Sequence, residues 1–330
     1  MSNLIDKNAA IRSALQASKN GLDALIAQLD GNGVALDKAL DLIFGMSGRL
    51  IVSGVGKSGL IGRKLAATFA STGTPSYFVH ALEASHGDLG MIQPGDVVLL
   101  LSRSGDSREL GDIIAYAQRF AIPIVAMTNG GRRLAQNADI VLALPEVREA
   151  CPHNLAPTTS SQMQLALGDA LAVTLLQMRG FTEHSFRYFH PGGRLGAALT
   201  PVSEIMFSGD ALPLVGADAS VFDVVSEISG KGHGIAGVTD AAGALAGVVT
   251  DGDIRRYLEA NSKGSMRQAM WETGATDIMT RGMISLGEDQ LCGRVLNILQ
   301  SRRISAAFIV KDGLPAGLIT TLRLLESGVA

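Results

Sequence analysis

Between positions 49 and 144 five short aliphatic runs, at 50–53, 76–79, 97–101, 124–127 and 140–144, alternate with segments of helical spacing at 59–71, 108–120 and 132–137. A short run of aliphatic residues with no polar alternation is buried on both faces, and parallel neighbours need a crossover between them, usually a helix. The alternation therefore specifies an α/β fold, a doubly wound, mainly parallel five-stranded sheet. Glycine is abundant, 39 of 330 residues, and aromatics are only 5%, which suits glycine turns between buried aliphatic strands. Ligands of such sheets sit outside the carboxyl ends of the strands. The loops GVGKSG, HALEASHGDLG and SRSGDSRE are thus where chemistry is expected.

Two lead-in helices, at 3–29 and 34–45, precede the alternation, with Gly31 and Gly33 read as the break between them. A longer helix at 160–179 is stopped by Gly180, and a linker is expected near 196–202. Beyond it the sequence repeats: VSEIM at 202–206 recurs as ATDIM at 275–279, and GVVT at 247–250 recurs as GLIT at 317–320. Each copy reads as helix, two strands, helix, and a duplicated unit of this size buries its faces against its twin. The expected division is 1–200 for the sheet domain with its lead-in helices, then 203–262 and 273–330 for the repeats, which together make a second, α+β domain.

A formal charge of −3 with no basic helix argues against nucleic acid as a partner. The opening MSNLIDKNAAIRSAL has no basic run followed by an apolar stretch, and no apolar run reaches the roughly 18 residues of a membrane span, so a cytoplasmic location and no membrane contact are expected. Two cysteines, Cys151 and Cys292, are too few for a disulfide framework, and Cys151 reads as a small buried residue. The 6 histidines form no cluster of ligands at metal-binding spacing, and the one acid four residues away, Glu149 before His153, is separated from it by Pro152, so no metal and no cofactor are expected.

Gly54, Val55, Gly56, Lys57, Ser58 and Gly59 follow a strand and open a helix, which is the context of a dinucleotide fingerprint. The second strand, however, ends Tyr77, Phe78, Val79, His80 without the acid that holds ribose hydroxyls. Gly56, Lys57 and Ser58 also imitate a phosphate loop of nucleotide hydrolases, but the glycine five positions before Gly56 is replaced by Ile51. What survives is an anion site of backbone N–H groups at a helix start, reinforced by Lys57. Ser102, Ser104 and Ser107 mark a second such site after the third strand. Two anion loops on one crevice point to a small phosphorylated molecule.

The ordered set VSGVGKSGLIGRKLAATFASTGTPSYFVH, EASHGDLGMI, SGDSREL, REACPHNLAPTTSS, GDALAV and HPGGRLG resembles the sugar isomerase (SIS) domain of arabinose-5-phosphate isomerases. The repeated tail resembles a tandem pair of cystathionine-β-synthase (CBS) modules. The resemblance implies interconversion of D-ribulose 5-phosphate and D-arabinose 5-phosphate, feeding Kdo and lipopolysaccharide biosynthesis, by a homotetramer with sites between subunits. Matched positions are Lys57, His86, Glu109, Glu149 and His190, with Gly54, Gly56, Ser58, Ser102, Ser104 and Ser107 as phosphate-binding positions. One departure stands out: relatives usually carry Ser-Asn-Ser-Gly-Glu where this chain has Ser102-Arg103-Ser104-Gly105-Asp106, which adds a cation beside the phosphate loop. In the tail, Thr250 and Asp253 match a turn that offers a hydroxyl to phosphate and a carboxylate to ribose, so an adenine nucleotide or nucleotide sugar is the implied regulatory ligand. The second copy has Arg323 where that carboxylate should be, and arginine accepts no hydrogen bond.

Aldose–ketose isomerisation moves a proton between C1 and C2 through an enediol, so it needs a base, an acid and donors facing the enediolate. On the matched set Lys57 neutralises charge, His86 opens or orients the sugar, and a glutamate transfers the proton. Glu149, leaving the last strand, is read as the base, and Glu109 near a helix start as a possible cap. Two alternatives stand: a phosphosugar-binding regulator without catalysis, and an isomerase of a different phosphosugar.

Overall fold

The computed structural model describes residues 6–130, 133–262 and 264–329, so the helix starts expected at Asn3 and Arg132 lie outside the described residues. In chain order the first elements are α1 (Lys7–Ala27), α2 (Leu29–Gly45), β1 (Leu50–Gly54), α3 (Gly56–Ser71), β2 (Ser76–Phe78), α4 (Ala81–Ala84), β3 (Val97–Leu101), α5 (Gly111–Arg119), β4 (Ile124–Thr128), α6 (Arg133–Asn137), β5 (Ile140–Ala143) and α7 (Thr159–Met178). The lead-in helices part at Gln28, not at the glycines: α2 runs on through Gly33. Each interior glycine, Gly31 and Gly33, costs a helix about 1 kcal/mol, which packing of Ala39 and Ile43 into the core offsets.

All five strands are parallel, in the order β2-β1-β3-β4-β5. Side chains alternate between two cores. Leu50, Val52, Leu99 and Leu101 face α3 and α7, while Ile51, Val98 and Leu100 face α4 and α5. Strands coated on both faces explain why the aliphatic runs are unbroken.

The chain divides after Thr182 into two units. The second contains α8 (Glu183–Phe189), α9 (Gly193–Ala198), β6 (Leu214–Gly216), α10 (Val221–Lys231), β7 (Ile235–Thr239), β8 (Leu245–Thr250), α11 (Asp251–Ala260), α12 (Ala275–Ile278), β9 (Ser285–Leu286), α13 (Cys292–Arg302), β10 (Ala306–Lys311), β11 (Leu314–Thr320) and α14 (Thr321–Glu326). Residues 183–200, read from sequence with the sheet domain, cluster with this unit. Ala197 and Ala198 pack on the core of α13, and the Cys292 N–H donates to the Thr200 carbonyl at 2.8 Å.

Each repeat forms a three-stranded sheet, β6-β7-β8 and β11-β10-β9, with one parallel and one antiparallel pair. The short β6 and β9 add a strand to each copy beyond the two expected, because two or three residues carry no periodicity. The two copies also exchange their leading segments: Phe207 bridges Leu318, and Thr280 bridges Val248. The recurring methionine and glycine of the repeat are partners across that exchange. A Cβ at Gly247 would lie 2.5 Å from Met279 Sδ, and one at Gly317 would lie 2.2 Å from Met206 Sδ. Gly247→Ala, whose Cβ would also stand 3.0 Å from the Thr280 carbonyl oxygen, is accordingly expected to cost the fold about 1–3 kcal/mol by overpacking, read as a lowered midpoint in chemical denaturation.

Candidate active site

Where β1 ends, Gly54 lets α3 begin at once. A Cβ there would stand 3.0 Å from the Leu101 carbonyl oxygen and 3.1 Å from the Gly59 nitrogen, and one on Gly59 would stand 2.6 Å from the Gly54 oxygen. Gly56 takes the left-handed backbone, φ +57°, that starts the helix. The cap residue is Val55, which offers no side-chain bond, and the first turn holds no acid. The N–H groups of this helix start are therefore left for an anion, with Lys57 exposed and Ser58 half-buried beside them.

The loop after β3 is folded on its own hydroxyls. Buried Ser102 Oγ lies 2.8 Å from Ser107 Oγ and accepts the Gly105 N–H at 3.2 Å, while exposed Ser104 accepts the Asp106 N–H at 3.3 Å. Gly105 is left-handed, φ +70°. Gly54 against Leu101 sets this loop beside the glycine loop at the junction of β1 and β3.

Glu149, in the segment after β5, is buried, 3% exposed. Its Oε2 accepts the Thr158 N–H at 2.8 Å, the Thr158 hydroxyl at 3.1 Å and the Ser160 N–H at 3.2 Å, and its Oε1 accepts the Ser160 hydroxyl. Arg103 Nη1 stands 3.0 Å from Oε1, which ties the β3 loop to this segment. Burial pushes the carboxyl up, yet the Ser160 hydroxyl, the Thr158 and Ser160 N–H groups and the Arg103 cation together hold it below its ordinary 4.5. Thr158, Ser160 and Arg103 escaped the sequence reading as partners of Glu149. The hydroxyl cluster Thr158-Thr159-Ser160 just before a helical run was the available signal, since such residues gather at helix starts.

Among the other matched positions, His86 lies exposed in the turn after α4, which Ser85 fastens to α5 through Asp112 at 2.6 Å. Glu109 is exposed in a helical turn at Arg108–Leu110 and makes no capping bond among the described residues. His190 belongs to the second unit, where its ring stacks on Phe186 at 3.9 Å. Cys151 is half-buried, not buried, and the N–H groups of Ala156, Leu155 and His153 hold its thiol below the ordinary 9.0. Burial pushes the Cys292 thiol up to about 11.

In the repeats, a cavity of about 620 Å³ is lined by Thr250, Asp253, Arg256, Thr280, Met283 and Arg303 among others. Asp253 Oδ2 accepts the Thr250 N–H at 2.8 Å and hydroxyl at 2.7 Å, and Oδ1 pairs with Arg256. The twin position is built differently. Arg323 donates from Nε to the Ile205 carbonyl at 2.9 Å and lies 5.4 Å over the Phe207 ring, which in turn packs at 4.2 Å on the His233 ring.

Comparison with known proteins gives the class first: residues 43–174 match the SIS domain model, and 202–260 and 275–329 match the CBS domain model. Among curated proteins, the arabinose 5-phosphate isomerase KpsF of Escherichia coli O6:H1 is 42% identical over 91% of this chain and 89% of its own. The arabinose 5-phosphate isomerase KdsD of Pseudomonas aeruginosa is 40% identical over 100% of this chain and 99% of its own. A solved E. coli CFT073 protein in complex with arabinose 5-phosphate is 37% identical, with a TM-score of 0.50, over 55% of this chain and 94% of that one. The chain belongs to the arabinose 5-phosphate isomerase family.

The lowered Glu149 carboxyl fixes the sign of a pH effect. A group whose folded value is depressed stabilises the fold above its unfolded value and loses that contribution as pH falls through the folded one. Glu149→Gln should therefore melt well below the parent protein near neutral pH, and the gap should narrow below the ordinary 4.5. A gap unchanged between about pH 7 and about pH 3.5 in thermal melts would contradict that sign.

Proposed function

We propose that this protein interconverts D-ribulose 5-phosphate and D-arabinose 5-phosphate through an enediol and supplies Kdo and lipopolysaccharide synthesis. The observation that carries the reading is the pair of anion loops, Gly54–Lys57–Ser58 and Ser102–Ser107, side by side at the junction of β1 and β3. Phosphate is taken by the helix-start N–H groups and the hydroxyls of Ser58, Ser102, Ser104 and Ser107. Lys57 neutralises the enediolate or the phosphate, and His86 opens or orients the sugar. His190 is the remaining matched position, carried by the second unit. Glu149, ionised at neutral pH, removes the C1 proton of the ketose, and return of a proton at C2 yields the aldose. One observation favours a second assignment of the base: Glu109 is exposed and free of hydrogen-bond partners among the described residues, while every Glu149 oxygen is already engaged.

No described helix is long and apolar enough to cross a membrane, and a cytoplasmic homotetramer with sites between subunits is the setting proposed for the reaction. We also infer that the repeats hold one adenine nucleotide or nucleotide sugar, in the cavity at Thr250 and Asp253.

An isomerase assay on ribulose 5-phosphate separates enzyme from sensor, since tight binding without turnover would leave only the regulator reading. Lys57→Ala should retain its fold and lose about 10²–10³ in kcat, the effect of removing one preorganised donor. Calorimetric titration of the full chain with nucleotides should show at most one tail site, abolished by Asp253→Ala; two equivalent sites would defeat that inference.

A further inference from the structure

Arg103 is the position where this chain carries a cation in the phosphate loop, yet its guanidinium is not left for phosphate. Nη1 stands 3.0 Å from Glu149 Oε1, with the arginine side chain 31% exposed and the glutamate side chain 0%. The backbone that delivers it is fixed: the Arg103 carbonyl accepts the Asn129 N–H and the Thr128 hydroxyl, both at 3.2 Å, and the preceding Ser102 is bonded to Ser107. Every other group donating to the Glu149 carboxylate is neutral, from Thr158 and Ser160. Asn154 accepts the Glu149 backbone N–H at 2.7 Å, and Arg148, the chain neighbour, turns away to the Pro152 carbonyl at 3.0 Å. Among the described residues Arg103 is thus the charged group that acts on this carboxylate.

A carboxylate out of water is costly in its ionised form unless it is paired as well as hydrogen-bonded. Neutral donors at a helix start supply part of that compensation, and the cation supplies the rest. We propose that Arg103 is a positioning residue of the isomerisation, holding Glu149 ionised and oriented at the start of α7, and not a further phosphate ligand. This rests on the reading of Glu149 as the proton-transfer group. Beside the guanidinium Oε1 has the Ser160 hydroxyl as its other partner, so a turn of the partly exposed arginine would leave that oxygen a lone pair for a substrate proton.

The test is a set of pH profiles of kcat and KM for the full-length protein, Arg103→Met and Arg103→Lys, with solvent-proton exchange at the substrate carbon measured in Glu149→Gln. Without the cation Glu149 protonates at higher pH, so the acid limb of kcat in Arg103→Met should move up in pH, with KM for the phosphosugar held within about twofold. Arg103→Lys should recover most of that shift, and it carries the test if Arg103→Met fails to fold. An unmoved acid limb with KM raised about tenfold assigns the guanidinium to phosphate and overturns the proposal. An unmoved limb with unchanged KM overturns it as well. Retained exchange in Glu149→Gln overturns the reading of Glu149 itself, whereas lost exchange with an unmoved limb in Arg103→Met overturns only the role of Arg103.

Discussion

The reversal of strand order at β1 and β3 is the constraint from which the first unit follows. With β2 on one side of β1 and β3 on the other, the chain leaving β1 turns to one face and the chain leaving β3 turns to the opposite face. The cores record this: Leu65, Ala66 and Phe69 of α3 share one with α7, while Ile113 and Ile114 of α5 share the other with α4. A crevice opens where two connections diverge, and its walls are loop backbone with polar groups that no strand pairs. Glycines 54 and 59 draw those walls together, because a Cβ on either would strike a backbone oxygen or nitrogen.

Two helix starts face the same electrostatic problem in this unit and solve it in opposite ways. At α7 the free N–H groups are met by the protein's own carboxylate, Glu149, drawn in from the preceding loop. At α3 the cap is valine, and the first turn lacks an acid and carries the Lys57 cation. One positive end is neutralised internally and stabilises the fold, and the other is left without a counter-charge in its first turn. Arg103 joins the two solutions, since it springs from the loop beside the open helix start and reaches the closed one.

This difference also explains what could be read from the sequence. Strands buried on two faces leave continuous aliphatic runs, so the sheet was legible to within a residue or two, as was the start of α3 after its glycine loop. The Arg103 partner of Glu149 was not legible, because a contact between the two depends on how far the β3 and β5 loops lean together, which no local spacing encodes. The strands β6 and β9 are too short to show a period, and the break at Gln28 carries none of the usual turn residues. Cys151 departs from expectation for the same reason as Glu149: its surroundings are backbone N–H groups of the turn at 153–156, and these appear only once the loop is folded.

In the second unit duplication set the architecture, and divergence then made the two halves unequal. The exchange of leading segments demands Met206 over Gly317 and Met279 over Gly247, so those residues recur in both copies. The residues at the two clefts are under no such demand. Where the cleft at Asp253 has Thr280 beside an open cavity, the cleft at Arg323 has Phe207, its ring packed on His233 on one side and approached by Arg323 on the other. Arg323 replaces an acceptor with a donor whose Nε is already used on the Ile205 carbonyl. An aromatic ring between an imidazole and a guanidinium occupies the kind of space that a flat heterocycle would otherwise fill, and burial keeps His233 below its ordinary 6.5, so the cation that would repel Arg323 is disfavoured. At the second cleft the chain's own ring and guanidinium thus stand where the first presents Thr250 and Asp253 to a cavity of about 620 Å³.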